Sequence, residues 1–297
     1  MQGRKCHASV FGEFGMTAGN TAASVRARLL NKAKKDGVDF QLLLTRYALE
    51  RLLYRLSISS QKDQFLLKGA LLFDLWYDVP FRATRDIDLL GFGLAEIPQL
   101  VEVFEELCTM SADDGISFDV KSIRAEEIRK DANYSGTRLT LTGLIDGAKC
   151  PVQVDVGYGD AVTPAPESAI YPVMFEDMPA PSLRVYPRYT VVAEKLEAII
   201  SLGMANSRMK DYFDLFIILR DTQLDQVILS DAVSATLNRR GTIMPKGYPL
   251  GLSEQFATDT QKLNQWNAFV TRNKLTAESL SSTVQYLRDN LGFIFRD

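Results

Sequence analysis

Histidine is almost missing from this chain: the one residue of that type, His7, lies in an irregular stretch at the start. Hydrolase chemistry that pairs a serine or cysteine with a histidine base therefore has no usable base, and a histidine-ligated metal centre is equally unsupported. Cysteine is also scarce. Cys6, Cys108 and Cys150 are far apart and form no C-x-x-C pair, which argues against a structural zinc site and for a reducing, cytoplasmic setting. No run of about 20 apolar residues occurs, so no membrane-spanning helix is expected. A strong basic field is absent too, since the formal net charge is -3. Whatever chemistry occurs here must run on carboxylates, lysines and oxygen-liganded metals.

What is present is ordinary for a globular protein: 297 residues, 46% hydrophobic and 24% charged, enough for one large or two modest domains. Charge is uneven. Between Arg26 and Arg55 basic residues outnumber acidic ones, a pattern that suits either a phosphate-binding surface or a solvated helix face. Residues 1–15 have charges but no continuous apolar core and no periodicity. They are expected to be a leader or an added stretch outside the fold.

The hydrophobic pattern predicts helices over Ala22–Lys35, Phe40–Leu56 and Leu71–Trp76, a buried strand over Ile87–Phe92, and an amphipathic helix over Ile97–Met110. Three strand-like segments follow, Ile116–Ile123, Thr137–Ile145 and Cys150–Val156, the last two joined by the hairpin signal Asp146-Gly147. A proline-dense stretch, 163–189, reads as an extended connection. Helical segments then dominate: Val191–Leu202, Met209–Leu219, Gln226–Leu237, Glu254–Phe269 and Ala277–Leu291. The result is an α+β chain, with N-terminal helices and a small mixed-sheet core over 16–162, the connection, and a helical C-terminal domain over 190–297.

Asp86-Ile87-Asp88 opens the predicted strand at 87–92. Residues two apart on a strand share a face, so two carboxylates stand side by side at the start of an apolar strand. Such a pair is costly without a cation, and all-oxygen ligation suits Mg²⁺ or Mn²⁺. The competing reading is a surface turn in which Arg82 and Arg85 neutralise the acids. Asp155, alone among the valines of Val152–Val156, supplies a third carboxylate if its strand neighbours that of Asp86. Three converging acids are what two-metal phosphoryl or nucleotidyl transfer requires. Upstream, Lys68-Gly69-Ala70 places a glycine just before a helix, where backbone N–H groups can approach a phosphate.

The ordered set Lys68-Gly69-Ala70, Arg82-Ala83-Thr84-Arg85-Asp86-Ile87-Asp88-Leu89, Gln153-Val154-Asp155-Val156-Gly157-Tyr158-Gly159-Asp160, Ala193-Glu194-Lys195-Leu196-Glu197-Ala198 and Met209-Lys210-Asp211-Tyr212-Phe213-Asp214-Leu215 resembles the AbiEii/AbiGii abortive-infection toxins and their MenT-like relatives. The resemblance runs from about Ala23 onward. It implies a DNA polymerase β-like nucleotidyltransferase core with a helical C-terminal half, in which Asp86, Asp88 and Asp155 hold Mg²⁺ (or Mn²⁺). Lys68, Gly69, Ala70, Arg85 and Lys195 would then bind the nucleotide, with Lys195 and Asp211 as further catalytic residues. Asp155 would deprotonate or orient the nucleophile. The family's glycine-serine pair is Gly69-Ala70 here, which keeps the backbone cradle and loses the hydroxyl. The implied activity is transfer of a nucleoside monophosphate from a nucleoside triphosphate to an RNA acceptor, a tRNA 3′ end. The implied setting is a toxin–antitoxin system with a separately encoded antitoxin. The alternatives are a small-molecule or protein acceptor, or a non-catalytic nucleotide-binding protein of the same fold.

Overall fold

The computed structural model describes residues 18–77, 84–93, 96–131 and 134–296; the leader assigned to residues 1–15, and Arg82-Ala83 of the acidic motif, lie outside them. The chain opens with α1 (Ala18–Asp36) and α2 (Phe40–Ile58). Asp39 caps α2 by accepting from the Leu42 backbone N–H at 2.8 Å, satisfying one of the donors a helix start leaves open. There follow β1 (Phe65–Lys68), α3 (Leu72–Trp76), β2 (Asp86–Gly91), α4 (Ile97–Thr109), β3 (Ser117–Asp131), β4 (Tyr134–Ile145), β5 (Ala148–Tyr158), β6 (Glu167–Ile170) and β7 (Ser182–Val185). The remainder is helical: α5 (Arg188–Leu202), α6 (Met209–Asp221), α7 (Gln226–Arg240), α8 (Glu254–Thr258), α9 (Thr260–Asn273) and α10 (Leu280–Leu291). Among the described residues, no helix is long and apolar enough to cross a membrane.

The described strands form one mixed sheet in the order β3-β4-β5-β2-β1-β7-β6. β2 pairs in parallel with β5 and antiparallel with β1, so the chain's two acidic strand motifs become neighbours at the centre of the sheet. The β4–β5 turn is Asp146-Gly147, whose φ values of 45° and 76° are the two positive angles a tight two-residue hairpin turn needs. α2 and α4 cover one face of the sheet. Leu44, Ala48 and Leu52 of α2 and Leu100, Phe104 and Leu107 of α4 are buried there with Ile87, Leu89, Val154 and Val156. Strict alternation then leaves Asp86, Asp88 and Asp155 on the other face. Beneath the sheet Arg55 is buried in an ion pair with Asp114 at 2.7 Å and donates to three backbone carbonyls, so its desolvated charge is compensated.

Three features differ from the sequence expectation. β1 is a fully buried Phe-Leu-Leu-Lys strand, too short and too uniformly apolar to show a period of two. The stretch 163–189 is not only a connection, since it supplies β6 and β7, which extend the sheet beyond β1. The helix expected over Glu254–Phe269 is divided at Asp259, whose carboxylate accepts from the Lys262 backbone N–H at 3.0 Å and starts a new helix, α9.

Candidate active site

The parallel register of β2 and β5 sets Asp88 opposite Asp155 and Asp86 opposite Gln153, while β1 sets Lys68 opposite Asp88. The result is a carboxylate cluster: one oxygen each from Asp86, Asp88 and Asp155 lie within 4.8 Å of one another. The Thr84 hydroxyl donates to Asp86 at 2.9 Å. Asp155, buried, is gripped at both oxygens by Arg138, Nε to Oδ1 at 2.9 Å and Nη2 to Oδ2 at 2.8 Å. That hydrogen-bonded pairing holds the Arg138 guanidinium above its ordinary pKa. The three converging carboxylates form a donor set of hard oxygens, which fits a divalent cation.

Gly69 is fitted to this cluster. Its φ is +74°, and a Cβ there would sit 2.7 Å from the Asp88 Cβ and Cγ and overlap Oδ2. The turn from β1 into α3 therefore reaches the carboxylate only because residue 69 has no side chain.

Over the cluster lies a cavity of about 640 Å³, walled on the far side by α5, α6 and the end of α7. Two ion-pair networks line it. In the first, the Lys195 ammonium sits 2.9 Å from Asp211 and 2.8 Å from Asp214, with Arg208 3.1 Å from Asp211. In the second, Lys68 contacts Asp160 at 2.6 Å and Glu194 at 3.5 Å, and Arg240 contacts Glu197 at 2.6 Å and both Asp160 and Glu194 at 3.5 Å. The Thr242 hydroxyl adds a 2.6 Å bond to Glu197. Burial pushes the Glu194 carboxyl above its usual range, against the pull of Lys68. Burial would lower the Arg240 pKa, but Glu194, Asp160 and Glu197 outweigh it and hold the guanidinium above its ordinary value. These charges tolerate desolvation because each faces opposite charge.

Lys68, Gly69, Ala70, Asp86, Asp88, Asp155, Lys195 and Asp211, all singled out in the sequence, line this one cavity. Arg85 does not. It is exposed and lines a separate trough of about 390 Å³, with Gln41, Thr45, Thr140, Thr142 and Gln153 among its other walls. Arg85 makes no ion pair with the acids among the described residues, and Arg82 lies outside them. Arg138, Asp160, Glu194, Glu197 and Arg240 received no role from the sequence. Arg138 could have been found: a two-residue turn at Asp146-Gly147 fixes every β4–β5 pair, and it sets Arg138 opposite Asp155.

The sequence matches the family model described as nucleotidyl transferase AbiEii toxin, type IV toxin–antitoxin system, over residues 51–288. No curated protein matches it. Among solved structures it is similar to JHP933 from Helicobacter pylori, at 15% identity and a TM-score of 0.48, over 86% of this chain and 93% of that one. A provisionally named nucleotidyltransferase of H. pylori gives 15% identity and a TM-score of 0.48, over 87% of this chain and 96% of that one.

Proposed function

The chain belongs to the AbiEii family of nucleotidyltransferase toxins, and we propose that it moves a nucleoside monophosphate from a nucleoside triphosphate to the 3′ end of an RNA, a tRNA, on a DNA polymerase β-like core. The observation that carries this reading is the convergence of Asp86, Asp88 and Asp155 within 4.8 Å on the wall of a cavity of nucleotide size, with Lys195 across it. The family also implies a nucleotide substrate and a cognate antitoxin, encoded separately.

Asp86, Asp88 and Asp155 would hold Mg²⁺ or Mn²⁺. A cation bound there would offset charge on the reacting phosphate and acidify the attacking hydroxyl. The protein's own contribution is positioning and fixed charge. Asp211 and Asp214 hold the Lys195 ammonium at the cavity wall, where it faces the triphosphate; they act through Lys195 and need not touch substrate. Gly69 and Ala70 bring backbone to the edge of the cluster. Asp155, with Arg138 on both oxygens, serves as a ligand and orienting group in preference to a proton acceptor.

The test incubates the protein with total tRNA, Mg²⁺ and each labelled nucleoside triphosphate in turn. Label should pass to RNA with at least one of the four, and Asp88→Ala should abolish it. Protein that binds nucleotide but transfers none of the four would overturn the reading, and activity retained by Asp88→Ala would overturn the site.

A further inference from the structure

The trough beside the carboxylate cluster is used by nothing so far described, and its position and chemistry suggest an occupant. Along β4 and β5, Arg138 and Asp155 line the large cavity, whereas the pair Thr140 and Gln153 lines the trough. The two spaces are thus one alternate rung apart, roughly 7 Å along the strands. Asp86 lines the cavity and Arg85, its neighbour in the chain, lines the trough, so the two spaces adjoin at the edge of the cluster.

A phosphoryl group in transfer has its attacking and leaving oxygens roughly in line, on opposite sides of phosphorus. With the triphosphate in the large cavity under Lys195, an attacking hydroxyl in line with the leaving group would approach from outside that cavity. The trough adjoins the cluster there, through Arg85 beside Asp86 and Gln153 two residues from Asp155. Its polar lining is Gln41, Thr45, Ser122, Thr140, Thr142 and Gln153 with one guanidinium, Arg85, set beside the apolar Leu42, Leu141, Pro151 and Val152, and no carboxylate is among these residues. Such a lining repels no phosphate and offers paired donors and acceptors to sugar hydroxyls and base edges. Its volume of about 390 Å³ suits a single nucleoside.

We propose that the trough receives the hydroxyl-bearing terminal nucleoside of the RNA acceptor, with Arg85 binding the phosphate that links it to the rest of the strand. The assignment rests on the nucleotidyltransferase reading above and moves Arg85 from the nucleotide to the acceptor. Thr140 and Thr142 sit on the strand as specificity residues for the terminal sugar or base.

Two variants test it: Arg85→Ala, and Thr140→Val combined with Thr142→Val, which keeps side-chain shape on the strand. Three quantities are measured for each: affinity for end-labelled tRNA without nucleotide, affinity for each nucleoside triphosphate with Mg²⁺, and transfer rate against tRNA concentration. Arg85→Ala should weaken tRNA binding and raise its KM about tenfold, as expected for a lost charge-assisted contact. It should also reduce the salt dependence of binding by about one phosphate's worth. The valine pair should raise the KM for tRNA, and nucleotide affinity should stay within about twofold in both, which also reports an intact fold. Wild-type transfer with variants unchanged in tRNA binding overturns the trough and leaves the enzyme reading standing. Loss of nucleotide affinity with an unchanged KM for tRNA returns Arg85 to the nucleotide and overturns it too. Wild-type protein that neither binds nor labels tRNA overturns both.

Discussion

Gly69→Ala and Gly147→Ala make a matched pair of perturbations. Both glycines have nearly the same backbone, φ +74° and +76°, so an alanine costs each about 1–2 kcal/mol of left-handed strain. At roughly 2–4 °C per kcal/mol, both should lose on the order of 2–8 °C in Tm. What separates them is the space a Cβ would enter. At Gly147 nothing lies within 4 Å, while at Gly69 the Asp88 Cβ and Cγ are 2.7 Å away and the carboxylate is overlapped. Relief at Gly69 requires Asp88 to move by about 1 Å, a displacement that costs roughly 100-fold in rate when it falls on a reacting geometry. Thermal melts should therefore show both proteins weakened, Gly69→Ala the more because of its clash with Asp88, and initial rates of nucleotide transfer should show only Gly69→Ala impaired. A Gly69→Ala enzyme within about threefold of wild-type kcat would refute the claim that this glycine exists for the Asp88 carboxylate.

Arg138→Ala removes a guanidinium that competes with a cation for Asp155. Mn²⁺ affinity read by electron paramagnetic resonance should rise roughly five- to tenfold, the side chain's partial exposure softening the effect, and weaker Mn²⁺ binding would make Arg138 part of the site's support instead. Glu50 is buried beside Arg51 at 2.8 Å and accepts from the Met174 N–H, yet burial pushes its carboxyl up to about 7. A raised folded pKa favours the protonated native form. Its contribution is therefore complete below the ordinary value near 4.5 and lost as pH rises through about 7, a fall on the order of 3 kcal/mol. Denaturation of Glu50→Gln across that window should lack this fall, and stability curves parallel to wild type would sink the assignment. Arg240→Ala strips the cationic partner from Glu197, leaving it the Thr242 hydroxyl, and weakens the neutralisation of Asp160 and Glu194, at a cost of about 3–5 kcal/mol near neutral pH. Losing the cation raises the Glu194 carboxyl further above its usual range, so the penalty should shrink toward acid pH as Glu194 protonates. An equal penalty at neutral and acid pH in urea melts would show that the network is not what Arg240 supports.

The carboxylate half of the site was legible because it obeys strand arithmetic. Asp86 and Asp88 share a face by their spacing, Asp155 interrupts a valine run, and the Asp146-Gly147 turn fixes the partner of each β5 residue. The sequence does not say that β2 lies beside β5, since that pairing is parallel and spans more than sixty residues. β6 and β7 were illegible for a different reason: each has four residues, set among prolines, and only the sheet edge beside β1 makes them strands. Lys195 stood out only through the family resemblance, because on periodicity alone it is a charged residue in an otherwise apolar stripe. Arg240 gave no signal, for its partner Glu197 is 43 residues away and on another helix.

The charge balance of the finished cavity constrains how substrate enters. Among the described residues its lining carries six carboxylates, from Asp86, Asp88, Asp155, Glu194, Glu197 and Asp211, and six cations, from Lys68, Arg138, Lys195, Arg208, Lys210 and Arg240. Several of those cations are already committed to carboxylates: Lys195 to two aspartates, Arg138 to Asp155, Lys68 and Arg240 to the shared network. Cations already paired with carboxylates attract a free triphosphate less than unpaired ones would. On the proposed reading, a triphosphate would enter together with a divalent cation that Asp86, Asp88 and Asp155 would hold. Titrating a labelled nucleoside triphosphate with and without a chelator should show affinity falling at least about tenfold when divalent ions are removed. Equal affinity in both conditions would mean that Lys195, Arg208 and Lys210 bind the triphosphate unaided, and that the carboxylates are not its route into the site.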